Sequence, residues 1–421
     1  MKKLMAYGLS FLMALTCLTG CGGGEQADLR VAVGKDTENL DPAIVDDSVT
    51  ANILAQVYDG LYKLDTDGNV LPNIATDMPE ISEDGLTYTI KMRGDTKWSD
   101  GKPVKASDFV YAWKRAVTTG GYYTQFIWQY ITGTSHMVKN EKTGVEEDTP
   151  FTKMSELKDF GAVALDDTTI QITLKDKCSY FTSLLTNTVF YPIREDYLKE
   201  NAKDGDITDS NWGNNDDVPY NGPFKVTSVN TKDEVFMVKN EEFYNAKEVS
   251  LNSISFKVMA DMDSQTSAFD SGDIDFATSC NIDTINAKDT LKKQSWKIDP
   301  FVCNYYILVN AGDENTNEVL KDPDIRNAIG LSINRKDVLE VLNYGDNAYE
   351  LSGLIPKGIP GATGDFREEQ DAVKKLAEYN RADKKTVSDE ACWECDKKGI
   401  SVMNAFYPKG FCCFCGTDNN E

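Results

Sequence analysis

At 421 residues the chain has room for two or three lobes, and its six Trp and 10% aromatic content are too rich for a disordered acidic chain. A net charge of −24 repels phosphate backbones and argues against nucleic acid as a partner. His136 is the single histidine, which excludes a multi-histidine metal centre, and no Gly-x-Ser-x-Gly elbow is present for a hydrolase.

Lys2 and Lys3 precede a mostly apolar stretch from Leu4 to Leu18. It falls short of the ~20 residues that span a bilayer, so residues 1–20 read as a secretory signal. Leu18-Thr19-Gly20-Cys21 resembles a bacterial lipobox, which implies a lipidated Cys21 on the outer face of the cell membrane. Gly22, Gly23 and Gly24 open a flexible tether over 21–28. An uncleaved anchor and a plain secretory signal are the alternatives.

Leu29–Val33 alternates as a first strand, and Asn39-Leu40-Asp41-Pro42 is a turn. Asp46, Asp47 and Ser48 then cap a helix whose apolar positions are Val49, Ile53, Leu54, Val57 and Tyr58. Asp65-Thr66-Asp67-Gly68 closes a hairpin. Leu86, Tyr88, Ile90 and Met92 face one way and Thr87, Thr89, Lys91 and Arg93 the other, the period of a half-buried strand. A turn at Trp98–Pro103 leads into a helix with its core face on Phe109, Ala112, Trp113, Ala116 and Val117. His136 falls in a solvent-exposed loop. Ile170, Ile172 and Leu174 mark another strand, and Phe224–Val226 finds a partner in Val235–Lys239. Strands at 254–258, 274–277 and 305–310 and helices at 264–271, 324–331 and beyond Asn334 follow, an irregular alternation that suits mixed-sheet α/β lobes.

Several blocks together resemble the bacterial extracellular solute-binding proteins of the oligopeptide, dipeptide and nickel ABC importers. The strongest run from Glu83 to Arg93, Lys97 to Gly101 and Asp108 to Arg115, whose Tyr-Ala-Trp-x-Arg ending is closer to the oligopeptide branch. Asn221–Val226, Ser271–Asp275, Asp324–Ile329, Ser332–Arg335 and Leu354–Gly361 add to the ordered set. Lys105 replaces the Thr with which the family often opens its helix, leaving Ser107 or Asp108 to cap it. Trp98 and Trp113 read as core.

The resemblance implies an α/β fold, a two-lobed periplasmic-binding-protein-like clamp with mixed sheets and an added third domain whose last part is missing. Lobe I is expected over 29–70 and 190–300, an inserted domain II over 71–189, and a partial lobe III over 301–380. The implied function is capture of short peptides and delivery to the permease of an ABC importer, by a monomer without cofactor or enzymatic activity. A peptide-sensing surface lipoprotein and an inactive truncated copy are the alternatives. By position, Asp46 and Ser48 flank the peptide, while Thr278, Ser279, Cys280, Phe301, Tyr305 and Tyr306 line the cleft, with Tyr122 and Tyr123 as further candidates. Asp46 and Ser48 have helix capping as a competing role, and the tyrosines have the core.

The composition changes after Asn380. Cys392, Cys395, Cys412, Cys413 and Cys415 crowd a tail over 381–421. One reading is a zinc site on Cys392, Cys395, Cys412 and Cys415, although the second pair lacks ribbon spacing. The other is a shifted reading frame or premature stop that replaced the family's C-terminus. Cys303 resembles a family position that pairs with a cysteine in the missing region, and Cys178 and Cys280 read as small buried residues.

Overall fold

In the computed structural model, residues 27–369 are described apart from 38, 142–143, 202–211, 213–217, 231, 289–290, 292–303, 313–316, 343–347, 352–353 and 360–363. Two compact units divide the chain, at 1–294 and 295–421.

The first unit opens with β1 (Leu29–Val33) and α1 (Ser48–Val57), then the hairpin of β2 (Tyr62–Leu64) and β3 (Val70–Pro72). Gly68 takes φ 82° in the hairpin turn, a left-handed conformation that glycine adopts without Cβ cost. Next come β4 (Glu80–Ile81), β5 (Thr87–Lys91) and α2 (Ala106–Thr119). They are followed by β6 (Ser135–Lys139), β7 (Glu146–Pro150), β8 (Ala162–Asp166) and β9 (Thr169–Thr173). After α3 (Glu195–Asn201) the chain forms β10 (Phe224–Asn230), β11 (Glu234–Lys239), β12 (Ser253–Val258), α4 (Met262–Ser271), β13 (Phe276–Ala277) and α5 (Ile282–Ala287).

Two sheets organise this unit. The larger has the order β10-β11-β12-β1-β13. Its β10, β11 and β12 are antiparallel, whereas β1 runs parallel to β12, with Leu29 opposite Ile254, and to β13, with Val31 opposite Phe276. The smaller is antiparallel, in the order β4-β5-β9-β8. Tyr88 and Ile90 on β5 and Ile170 and Ile172 on β9 turn inward, as the period of two requires, and Phe109, Ala112, Trp113, Ala116 and Val117 on α2 are all buried. The buried apolar residues of both sheets form one contiguous core.

Trp98 and Trp113 are fully buried, as core residues should be. Each indole N–H has a partner: Trp113 Nε1 donates to the Phe190 carbonyl at 2.9 Å and Trp98 Nε1 to Asp108 Oδ2 at 3.0 Å. Asp108 also accepts from the Lys105 N–H at 2.9 Å and so closes the helix start from inside. The carboxylate of Asp108, not Ser107, takes over from the missing Thr.

Four sequence expectations are corrected. Neither Asp46 nor Ser48 caps α1; Asp47 does, accepting from the Thr50 N–H at 2.9 Å. His136 lies on β6 rather than in a loop, exposed and stacked on Phe151 at 4.9 Å. Cys178 is buried, but Cys280 is exposed. The apolar run at 305–310 forms no strand, because no described strand pairs with it, and a β conformation needs a ladder partner.

The second unit contains α6 (Pro323–Ser332) and α7 (Arg335–Leu342). Asp322 caps α6 through the Asp324 N–H at 2.9 Å, Pro323 takes its first position, and Ile325 and Ala328 are buried. Asn334 accepts from the Lys336 N–H at 3.2 Å at the start of α7.

Candidate functional site

Parallel strands place their carboxyl ends on one side of a sheet, and in open α/β sheets that side is where ligands gather. Here β12, β1 and β13 end together at Val258, Val33 and Ala277. The segment leaving β13 is fastened at once. Thr278 donates to the Ala32 carbonyl through its N–H at 3.2 Å and its hydroxyl at 2.9 Å. Ser279 N–H donates to Gln265 Oε1 at 3.1 Å, and Asn281 N–H to Thr266 Oγ1 at 2.9 Å. Asn281 then caps α5 with its side-chain oxygen.

Gln265 is the residue that sequence reasoning missed. It is fully buried on α4, and its Nε2 donates to the Met259 carbonyl at 2.7 Å while its Oε1 holds Ser279. A glutamine on the inward side of a short helix is the only mark it leaves in the sequence. Gly34, just past β1, lies against the same amide, its Cβ position 3.7 Å from Gln265 Nε2. Lys35 follows and reaches Asp47 Oδ2 at 3.7 Å. The 278–281 segment is thus tied to Gln265, and the chain just past β1 is tied to the start of α1 through Lys35 and Asp47.

The loop before α1 divides between buried and exposed residues, and the division does not follow polarity. Asp41, Pro42, Ala43 and Val45 are buried, whereas Ile44, Asp46 and Ser48 are exposed. With Asp47 serving as cap, the side chains of Asp46 and Ser48 are not needed by the helix. Gly121 brings the segment after α2 against this loop: a Cβ there would stand 2.1 Å from the Ala43 carbonyl oxygen. Tyr122 follows, 67% exposed, edge-on to Tyr123 at 5.0 Å, and Tyr123 stacks on Phe126 at 5.7 Å. Tyr123 is thus partly committed to an aromatic cluster, and Tyr122 is the more open of the two.

Within the first unit the candidates form two groups, then: Thr278, Ser279 and Cys280 at the sheet end, and Asp46, Ser48 and Tyr122 around the α1 loop. Partial burial pushes the Cys280 thiol up from its ordinary value, which favours the neutral thiol over a nucleophilic thiolate. Tyr305 and Tyr306 belong to the second unit, where they are 92% and 67% exposed. Phe301, Cys21, Cys392, Cys395, Cys412 and Cys415 lie outside the described residues. Among the described residues no group of three or more His, Cys, Asp or Glu is placed to hold a metal, and no helix is long and apolar enough to cross a membrane.

Comparison with known proteins bears on what such a site serves. Residues 69–409 match the profile of bacterial extracellular solute-binding proteins, family 5. A dipeptide-binding protein of Lactococcus lactis is 28% identical over 375 residues, covering 85% of this chain and 64% of its own length. The oligopeptide-binding protein OppA of Bacillus subtilis is 27% identical over 400 residues, covering 90% of this chain and 68% of its own. Among solved structures, the substrate-binding domain of an oligopeptide ABC transporter from Bacillus anthracis superposes with a TM-score of 0.65 at 27% identity, over 88% of this chain and 67% of that one. The chain spans about two thirds of the length of these relatives. A profile match over most of the chain, joined by a mixed-sheet α/β architecture, places this protein in the family of bacterial extracellular solute-binding proteins, family 5.

Proposed function

We propose that this protein captures short, unmodified peptides outside the cell and delivers them to the permease of an ABC importer, as a binding protein without catalytic activity. The observation that carries the reading is the coincidence of a family match with an open, polar site at the carboxyl ends of three parallel strands. The relatives' names, a dipeptide-binding and an oligopeptide-binding protein, supply the ligand class.

The chemistry of the site suits an extended peptide. β13 is the last strand of its sheet, so among the described residues its outer edge has an unpaired ladder. An incoming main chain can satisfy such an edge irrespective of side chain, which gives affinity with little sequence preference. Asp46 offers a carboxylate to an amino group, Ser48 and Ser279 offer hydroxyls, and Tyr122 a ring. Thr278, Cys280 and Tyr123 are further candidates in the first unit; Tyr305, Tyr306 and Phe301 are candidates by their sequence position alone. We assign 29–70 with 190–300 to one lobe and 71–189 to an insertion. This is supported by the larger sheet taking strands from both ends of the first unit and the smaller sheet only from 80–173. Lipid anchoring at Cys21 and a monomeric state belong to the same reading.

Titration calorimetry with unmodified tri- to pentapeptides, against nickel chelates and sugars, tests it. Peptides should be the preferred ligands, and Asp46→Ala should weaken them modestly, by the ~1 kcal/mol of one polar contact. Tighter binding of nickel chelates than of any peptide would refute the proposal.

A further inference from the structure

Asp41 and Arg115 form an ion pair in which neither side chain has any exposed surface. Arg115 Nη1 donates to Asp41 Oδ1 at 3.0 Å and Nη2 to Oδ2 at 2.6 Å, a two-pronged contact that fixes the carboxylate in both position and plane. The same Oδ1 accepts the Ala43 N–H at 3.0 Å, and the Asp41 carbonyl accepts the Ile44 N–H at 3.2 Å. The guanidinium, on α2, therefore holds the carboxylate around which the loop before α1 is folded. Pro42 and Ala43 line a narrow crevice together with Arg115, Ala112, Val189 and Ile193. A buried ion pair is seldom the most stable solution for a core, since apolar residues of similar volume often do as well. Its two-pronged geometry does set orientation, which a greasy contact does not.

We infer that Arg115 is a positioning residue: through Asp41 it sets the loop 41–48 that presents Asp46 and Ser48. The inference rests on the proposed peptide site and gives the segment 71–189 a part in it. Arg115 touches no ligand in this scheme. It acts 74 residues away in sequence from the carboxylate it orients.

The test separates positioning from bulk stability in the full chain. Amide exchange at Ala43–Ser48, thermal midpoint and affinity for a pool of unmodified tri- to pentapeptides are measured for the parent, Arg115→Met, Arg115→Lys and the double variant Asp41→Asn/Arg115→Met. Arg115→Met leaves a buried carboxylate without its cation and should lower the thermal midpoint sharply. The double variant has no buried charge and keeps an Asn oxygen for the Ala43 N–H, so its midpoint should recover. Exchange at Ala43–Ser48 should nonetheless stay at least about tenfold faster than in the parent, and peptide affinity about tenfold weaker. Arg115→Lys, which retains the charge but not the two-pronged contact, should fall between. A double variant with parental exchange in this loop overturns the inference, and so does fast exchange with unchanged peptide affinity. If the parent itself binds no peptide, the proposed function fails, and the exchange rates alone then decide whether Arg115 sets the loop.

Discussion

Gly121→Ala tests the packing of the α1 loop in isolation from its charges. Gly121 has φ −62° and ψ 162°, which any L residue adopts, so a methyl there costs nothing in backbone strain. The cost is contact. The added Cβ would lie 2.1 Å from the Ala43 carbonyl oxygen and 3.0 Å from Ile44 Cα, and both are backbone atoms that no rotamer change can move aside. Ordinary C···O approach is about 3.3 Å, so the chains must part by about 1 Å. Overpacking of this kind costs about 1–3 kcal/mol, and a backbone-on-backbone clash belongs at the upper end. The smaller entropy of the unfolded Ala chain returns about 0.4–1 kcal/mol. The net expectation is a loss of about 2 kcal/mol, read as a lower urea midpoint with an unchanged slope in tryptophan fluorescence. Gly94→Ala is the control, since a Cβ there meets nothing within 4 Å and its φ is not positive; it should be neutral or stabilising. Equal midpoints for the two variants would refute the close approach.

Trp113→Phe should cost about 3 kcal/mol by urea unfolding, because it opens space in a fully buried site and strips the Phe190 carbonyl of its donor; a loss under about 1 kcal/mol would contradict that packing. Burial pushes the Asp108 carboxyl up to about 6 despite its bonds from Lys105 and Trp98. A carboxyl raised on folding binds its proton more tightly in the folded state, so its stabilising contribution is complete below pH ~4 and is lost as pH rises through 6. The shift corresponds to about 3 kcal/mol at most, and Asp108→Asn, which keeps an oxygen for both bonds, should flatten the stability profile between pH 4 and 6. An unchanged profile would show that Asp108 is not the titrating group. Cys21→Ser should release the protein from membranes into the medium, and fractionation that finds it still membrane-bound would exclude lipidation at that residue.

Much of the scaffold is legible in the sequence because short-range periodicity writes it there. β1, β5, β9 and the core face of α2 follow from alternation at two or from i, i+3, i+4 spacing, and the burial of Tyr88, Ile90, Ile170, Ile172, Phe109 and Trp113 agrees. The failures have a common cause in partners that are remote in sequence. Residues 305–310 have the composition of a strand, but among the described residues no strand pairs with them, and propensity alone does not make one. Cys280 looks like core by residue type, yet it lies just beyond a two-residue edge strand and is exposed.

The site is harder to read than the scaffold for the same reason, and Asp41 shows why. In the sequence it is a turn residue before a proline, one of several acidic residues ahead of a helix, and nothing local distinguishes it from Asp46 or Asp47. The three have different fates because only one of them meets a long-range partner. Asp47 stays local and caps α1; Asp46 stays in water; Asp41 is driven out of water altogether and can remain charged there only because Arg115 arrives from α2. Under the proposed function, that sorting also decides which carboxylate is offered to a ligand. The Asp47 and Asp41 carboxylates are engaged by a helix start and by a buried guanidinium, whereas Asp46 is exposed. The loop therefore offers its free acid where its two neighbours hold the backbone still. That is the arrangement expected of a contact residue whose position must not depend on the ligand it meets.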